Sequence, residues 1–404
     1  MARNIVGAPV RGNDFFDRQE LVDLVWDRLG TGNVLLAAPR RFGKTSVMYR
    51  LKDAPRTGWQ VVHVDAESIR EPVNFVIAVL DAMMADRRVR KFLVSAWRHS
   101  SKWARDLFPE MEVGTSWDVN LKIRLKEKIG PEWSHRGEAL LQVLRKWEGR
   151  LLVIIDELPV MLRLFEDNDV GDAETRAFLY WFRRLRVDPD VGLANCRFLI
   201  GGSIGIEHYL SRLGAVDSFN DFERVTVAEL TQALAREFLA SRLDSRGVTL
   251  SRSALTRMLE LVGTPIPYFL QMFVAEVAVE VANGTQRIGP KKLDEIYHQR
   301  VLGAVAKMHF QHYYDRLRWY DKPDERAAKA LLRQLALAFP SAIQTSQLRS
   351  LYGREVGGEA TDDGFTRLIG DLENDFYVRY RPQDAGHAFA SKILCDWWRR
   401  YYAV

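Results

Sequence analysis

Cysteine is almost absent from the 404 residues: Cys196 and Cys395 are the only two. Thiols so far apart form no metal or redox motif. Their scarcity excludes a disulfide-stapled secreted scaffold and leads us to expect a cytoplasmic protein with reduced thiols. No uncharged apolar run approaches the roughly 18 residues that a membrane span requires. Residues Met1 to Gly12 carry charges and no apolar stretch, so no signal peptide is expected. The Asn283-Gly284-Thr285 sequon has no bearing in such a setting. Internal repeats and low-complexity tracts are missing. The 8 histidines show no metal-ligand spacing, and His309 and His312 read as polar surface on a connecting helix. Charge of one sign is not in excess either. The formal net charge of +5 is spread along the chain, which permits an acidic partner without requiring one.

What is present is apolar and aromatic. A 47% hydrophobic composition over this length suits two or three domains, and 11 Trp residues fit large packed surfaces. The first half alternates strands and helices. Val34–Ala37, Gln60–Val64, Leu151–Ile155 and Arg197–Ile200 read as buried strands, with helices over Leu21–Leu29, from Lys44, over residues 73–107, Glu138–Trp147 and Arg176–Leu185. Apolar strands alternating with helices predict a parallel sheet covered on both faces. Within Met111–Leu125, the alternation Val119-Asn120-Leu121-Lys122-Ile123 predicts an inserted hairpin. From residue 231 to 300 only helices are expected, broken at Gly263-Thr264-Pro265-Ile266-Pro267 and near Gly289-Pro290. A helical connector then runs to about Tyr320. Three helices (Arg326–Phe339, Thr345–Tyr352, Asp362–Asn374), a strand pair (Phe376–Arg381, His387–Ala390) and a last helix follow, which is the order of a winged helix. The expected domains are an α/β P-loop core at 1–225 with an insertion near 85–135, a helical lid and connector at 226–320, and a winged helix at 321–404.

Three motifs carry chemistry. Ala38-Pro39-Arg40-Arg41-Phe42-Gly43-Lys44-Thr45-Ser46 fits the phosphate-loop spacing G-x-x-x-x-G-K-T/S except at its first glycine. Such a loop turns backbone N–H groups inward, and the following helix adds the positive end of its dipole. Gly43 lets the backbone approach phosphate oxygens. Lys44 supplies charge to the β- and γ-phosphates, and the Thr45 hydroxyl is placed to coordinate Mg²⁺. A chance basic turn before a helix is the competing account. Second, Asp156 and Glu157 follow the strand Leu151–Ile155, at the strand edge where ligands of open α/β sheets collect. Asp156 would hold Mg²⁺ through water, and Glu157 would act as general base. An acidic strand end has no such role by itself; its place about a hundred residues after a P-loop gives it one. Third, Ser203 follows the strand Arg197–Ile200 through Gly201-Gly202. It could read the γ-phosphate, or the segment could be an ordinary glycine-rich turn.

Together these motifs resemble the AAA+ ATPases, of the additional-strand P-loop class with a catalytic glutamate. The nearer resemblance is to the archaeal-type ATPases grouped with the signal-transducing STAND NTPases. Phe15-Phe16-Asp17-Arg18-Gln19-Glu20 looks like that family's lead-in, which implies Arg18 near the adenine. Residues 38–46 look like its G-P-R-R-x-G-K-T-S loop, Ile155–Pro159 like its Walker B strand end, and Gly202-Ser203 like its sensor segment. Val262–Gln271 resembles its lid turn, with Thr264-Pro265 where glycines are usual. The resemblance implies ATP and Mg²⁺ as ligands and hydrolysis to ADP. The replaced glycines imply that turnover is slow.

A neighbouring molecule's arginine usually completes an AAA+ site. Arg183, Arg184 and Arg186 lie where that residue often sits, although a solvated basic helix face accounts for them as well. The third helix of the winged helix carries Asp362, Asp363, Asp371 and Glu373 against Arg367 alone, which would repel phosphates. A protein partner or a second copy is therefore expected there rather than DNA. The first reading is a nucleotide-driven regulatory switch. The second is a DNA-associated AAA+ ATPase with an origin-recognition or transposition layout, which the basic region Arg87–Arg105 keeps open. A chain that binds nucleotide only structurally is the third, and the complete set Lys44, Thr45, Asp156 and Glu157 argues against it.

Overall fold

The structure is a computed structural model that describes residues 3–16, 18–99, 119–168, 170–202, 206–304 and 307–403. Two compact units make it up. One consists of Arg18–Ala37 and Lys44–Val227; the other takes the N-terminal arm, the loop Ala38–Gly43 and the chain from Ala228 on.

The first unit is built on five parallel strands: β1 (Asn33–Ala37), β2 (Trp59–Asp65), β3 (Arg150–Asp156), β4 (Cys196–Gly202) and β5 (Phe222–Thr226). Their order is β2-β3-β4-β1-β5. Strands β1, β3 and β4 are apolar and buried nearly throughout, as central parallel strands must be when helices cover both faces. Strand β4 separates β1 from β3 and is the additional strand that the resemblance implied. Strand β5 gives no apolar run in the sequence because it lies at the sheet edge, where Glu223 and Arg224 face solvent and Val225 alone is buried. The core is aromatic. Phe75 on helix Pro72–Ala85 meets Phe178, Trp181 and Phe182 on helix Asp172–Val187 edge-on.

One expected element is different. The hairpin read from the alternation at 119–123 is a helix, Val119–Ile129. Leu125 and Ile129, four apart, are both buried. That helical spacing overrides the shorter alternation. Positions 111–118 of the expected hairpin lie outside the described residues, as do 100–107 of the expected long helix. The described part of that helix is two helices, Pro72–Ala85 and Arg87–Arg98. They divide at Asp86, whose carboxylate accepts from the backbone N–H of Arg88 and Val89 and so caps the second.

The second unit is helical up to its last third. Helices Gln232–Asp244, Arg252–Val262, Pro267–Ala282 and Pro290–Ile296 form the lid. Thr231 and Ser251 cap the first two through side-chain oxygens, and prolines open the last two, where a missing N–H costs nothing. The turn Gly263–Ile266 also binds the winged helix, since the Thr264 hydroxyl donates to the Ala390 carbonyl at 2.8 Å. The threonine that stands where the resembling family has glycine thus makes a specific bond. The winged helix runs Lys322–Ala338, β6 (Ile343–Gln344), Thr345–Val356, Asp362–Asn374, β7 (Val378–Arg381) and β8 (Gly386–Phe389), with a closing helix Lys392–Tyr402. Its antiparallel sheet has the order β6-β8-β7. Tyr297 of the lid donates to Asp396 of the closing helix at 2.8 Å.

Among the described residues no helix is long and apolar enough to cross a membrane, and no group of three or more His, Cys, Asp or Glu is placed to hold a metal ion. Both cysteines are free, and burial pushes each thiol up to about 12.

Candidate nucleotide-binding site

Strand β1 ends at Ala37, and six residues separate it from the helix Lys44–Asp53. Within the loop between them, Arg41 (φ 73°) and Gly43 (φ 90°) adopt left-handed backbone. Glycine meets no penalty there, whereas Arg41 does. Ala38 is buried and does not have a positive φ. That position therefore does not need the glycine that the motif usually carries.

The unit that holds the sheet brings four of the expected residues together. Lys44 and Ser46 open the helix and are buried. Thr45 Oγ1 donates to Asp156 Oδ2 at 2.7 Å. The other Asp156 oxygen accepts from the backbone N–H of Glu157 at 3.0 Å. Burial pushes the Asp156 carboxyl above its ordinary range, while the Thr45 hydroxyl and the Lys44 charge pull it back. Asp156 is thus a buried carboxylate with partial positive compensation, the state in which a cation is welcome. Hydroxyl and carboxylate oxygens side by side form the hard donor set that suits Mg²⁺.

Glu157 sits just beyond the strand in left-handed backbone (φ 57°, ψ 36°), at the N-cap position of the helix Leu158–Asp167 but with no side-chain cap bond. Its Oε2 is buried and has no hydrogen-bond partner. A non-glycine residue held in that region and an unsatisfied carboxylate oxygen both cost free energy, and such costs concentrate at functional sites.

One essential residue escaped the sequence reading. Gly201, near the end of β4, has no room for a side chain: a Cβ there would stand 2.6 Å from Asp156 Oδ1 and 2.1 Å from Met48 Cε. Gly202 is constrained likewise, at 2.7 Å from Pro159 Cγ. Asp156 Oδ1 is the oxygen that accepts from the Glu157 N–H, so a side chain at 201 would press on the carboxylate from the Glu157 side. The pair Gly201-Gly202 is visible in the sequence, whereas the expected γ-phosphate contact Ser203 lies outside the described residues.

Arg18 is the N-cap residue of helix Gln19–Thr31. Its guanidinium is buried, Nη2 has no partner, and burial lowers its pKa to about 10, which leaves it charged at neutral pH. The three arginines considered for a neighbour's site differ. Arg186 is fully buried, paired with Asp221 at 2.7 and 2.9 Å and packed on Phe182 and Phe222. It cannot reach another molecule. Arg183 and Arg184 are partly exposed and pair with Asp217 and Glu138.

The loop itself belongs to the other unit, and three consecutive side chains show why. Arg40 lies over the Trp319 ring at 5.7 Å. Arg41 lies over Tyr268 at 4.4 Å and donates to the Gly7 carbonyl. Phe42 is buried and meets Phe376 edge-on at 4.9 Å. Trp319 ends the connector, Tyr268 opens a lid helix and Phe376 precedes β7. His309 and His312, expected on the surface, belong to this region as well. His309 shares a 2.7 Å hydrogen bond with the Tyr268 hydroxyl. Both His312 ring nitrogens are buried without partners; burial first, and then Arg41, Arg40 and Arg316, lower its pKa to about 3. Their three-residue spacing turns them inward rather than outward.

No family model matches the sequence, and no curated protein does. Among solved structures the chain is similar to a Walker-type ATPase of Pyrococcus abyssi, at 17% identity and a TM-score of 0.63, over 98% of this chain and 99% of that one. It is also similar to the Aeropyrum pernix ORC2 protein in its ADP form (13% identity, TM-score 0.46, 94% and 92% covered). A third is Cdc6p of Pyrobaculum aerophilum (12% identity, TM-score 0.41, 95% and 94% covered). The first of these shares the chain's fold: a P-loop α/β core, a helical lid and a winged helix.

Proposed function

We propose that this protein is a Mg²⁺-dependent ATPase that works as a nucleotide-driven regulatory switch. The hydrogen bond between Thr45 and Asp156, with the strained and unpartnered Glu157 beside it, carries the reading. Backbone N–H groups of residues 39–44 and the Lys44 charge would bind the phosphates of ATP, with Arg18 toward the base. Thr45 and Asp156 would hold Mg²⁺, which supplies charge neutralisation on the phosphate oxygens when bound. Glu157 would accept the proton of the attacking water, since its free oxygen is not committed to any other bond. Ser203 would contact the γ-phosphate. The similar Walker-type ATPase fold supports the same activity.

The switch rests on the loop. Arg40, Arg41 and Phe42 are each held by a different element of the lid, connector or winged helix. A loop that changes conformation around phosphate must strain or release those three contacts. Differential contacts of this kind are what let one ligand bias a distant element. A partner protein or a second copy of the chain in the cytoplasm would read the outcome.

The test uses the full chain. Calorimetry with ATP and Mg²⁺ should show binding, and phosphate release should follow slowly. Small-angle scattering should then differ between ADP and a non-hydrolysable ATP analogue. Absence of binding removes the nucleotide site. Hydrolysis with one shape in both states leaves an ATPase and removes the switch.

A further inference from the structure

The helix Arg87–Arg98 is a feature that the nucleotide site does not use. Its apolar stripe Val89, Leu93 and Trp97 is buried, and Trp97 donates its indole N–H to the Leu140 carbonyl at 3.2 Å. Phe92 packs edge-on against Trp147 at 5.1 Å. The helix is therefore firmly seated, and its outer face is a fixed surface. The side chains exposed on it are Arg87, Arg88, Arg90, Lys91, Ser95 and Arg98, so five of the six are cations. The helix contains no carboxylate. The neighbouring turn Gln142–Lys146 adds exposed Arg145 and Lys146. Among the described residues, Asp86 at the start of the helix is occupied as its cap and by the Gln60 side chain.

We infer that this face is a docking surface for the phosphate backbone of duplex DNA. From Arg87 to Arg98 the stripe is about 16 Å long, at 1.5 Å per residue. Duplex DNA presents one negative charge per roughly 1.7 Å of axis, so a straight cationic stripe of that length meets several phosphates at once. A protein partner would call for an apolar or aromatic centre, and this face exposes neither. Single strands are held by exposed aromatic rings, also lacking here. Duplex RNA is the competing polyanion, and a random RNA duplex bound more tightly than the DNA would overturn the choice of DNA. Contacts of this kind position without selecting sequence. The surface belongs to the sheet unit, whereas the acidic third helix of the winged helix belongs to the other.

The measurement is fluorescence anisotropy of the full chain with a labelled random duplex, between about 50 and 200 mM salt. The native chain should bind, with affinity falling steeply as salt rises. Arg87→Ala, Arg90→Ala and Lys91→Ala combined should lower the slope of log affinity against log salt by about 2 to 3 and weaken binding at least about tenfold. The charge-keeping combination Arg87→Lys with Arg90→Lys should bind like the native chain. Should the triple variant fold poorly, Arg90→Ala alone should lower the slope by about 1. A native chain that does not bind duplex overturns the inference. An unchanged slope in the triple variant does so too, with the wing cations Arg379 and Arg381 as the alternative source. Tighter binding to a poly-glutamate peptide than to duplex would make the face an acidic-protein site instead. Nucleotide is absent from the assay, so its result is separate from that of the ATPase test.

Discussion

The two units of this chain differ in the chemistry each carries. The sheet unit gathers charged and polar groups: Thr45 and Glu157 both bond to Asp156, and Lys44 opens the helix beside them. The helical unit supplies almost none of that chemistry. It holds the loop's side chains with rings, namely Trp319, Tyr268 and Phe376. The first arrangement suits catalysis, which needs fixed charges. The second suits reporting, because each such contact is worth only about 0.5–1.5 kcal/mol and can part at modest cost. Within the helical unit the side chains of Arg40, Arg41 and Phe42 are committed to rings, which leaves the loop's backbone N–H groups for the phosphates that the proposed function assigns to them.

Substitutions can break that division at either side. Glu157→Gln should have the largest effect: turnover falls by about a hundredfold or more, as expected for loss of a general base, while ATP affinity measured by calorimetry stays near native. Native turnover in this variant would assign the base elsewhere. Lys44→Ala should come next, with ATP affinity reduced about a hundredfold through loss of a charged phosphate contact. Unchanged affinity would dissolve the contrast, because the sheet unit would then not hold the phosphates. Phe376→Ala tests the reporting side. An aromatic pair contributes about 0.5–1.5 kcal/mol, so ATP affinity should shift about two- to tenfold, with turnover per bound ATP little altered. A loss of turnover instead would mean that the helical unit takes part in the chemistry.

The smallest effect concerns a carboxylate of the helical unit. Asp371, on helix Asp362–Asn374, is raised to about 7 by burial first and then by Asp375 and Asp324. A carboxyl raised in the folded state contributes stability below its ordinary value near 4, and that contribution is lost as pH rises through about 7. Asp371→Asn should therefore melt higher than the native chain at pH 8, by on the order of 2 °C, and equally at pH 4. Its ATP affinity should not move. A gain at pH 4 instead would reverse the sign of the effect.

Much of the fold was legible because apolar strands and glycine-marked turns are local signals. Strands β1 to β4 and the helix–hairpin order of the winged helix need no knowledge of distant residues. What stayed hidden depended on partners far away in sequence. Strand β5 is recognisable only from its pairing with β1, since its own residues are charged. The helix Val119–Ile129 showed a two-residue alternation until its buried positions decided the period. At the site, spacing alone pointed to Lys44, Thr45 and Asp156. The demand for glycine at 201 arises from Asp156 and Met48, and the inward turn of His312 from its burial beside the loop arginines. Neither can be seen without the folded chain.

The left-handed backbone of Glu157 places activity and robustness in opposition. Glycine at that position would relieve a conformational cost of about 1–2 kcal/mol and remove a buried oxygen that bonds to nothing. Selection for thermal endurance alone would thus push this position toward glycine and away from the proton acceptor. Under the proposed function, the glutamate at 157 exchanges melting point for a proton acceptor.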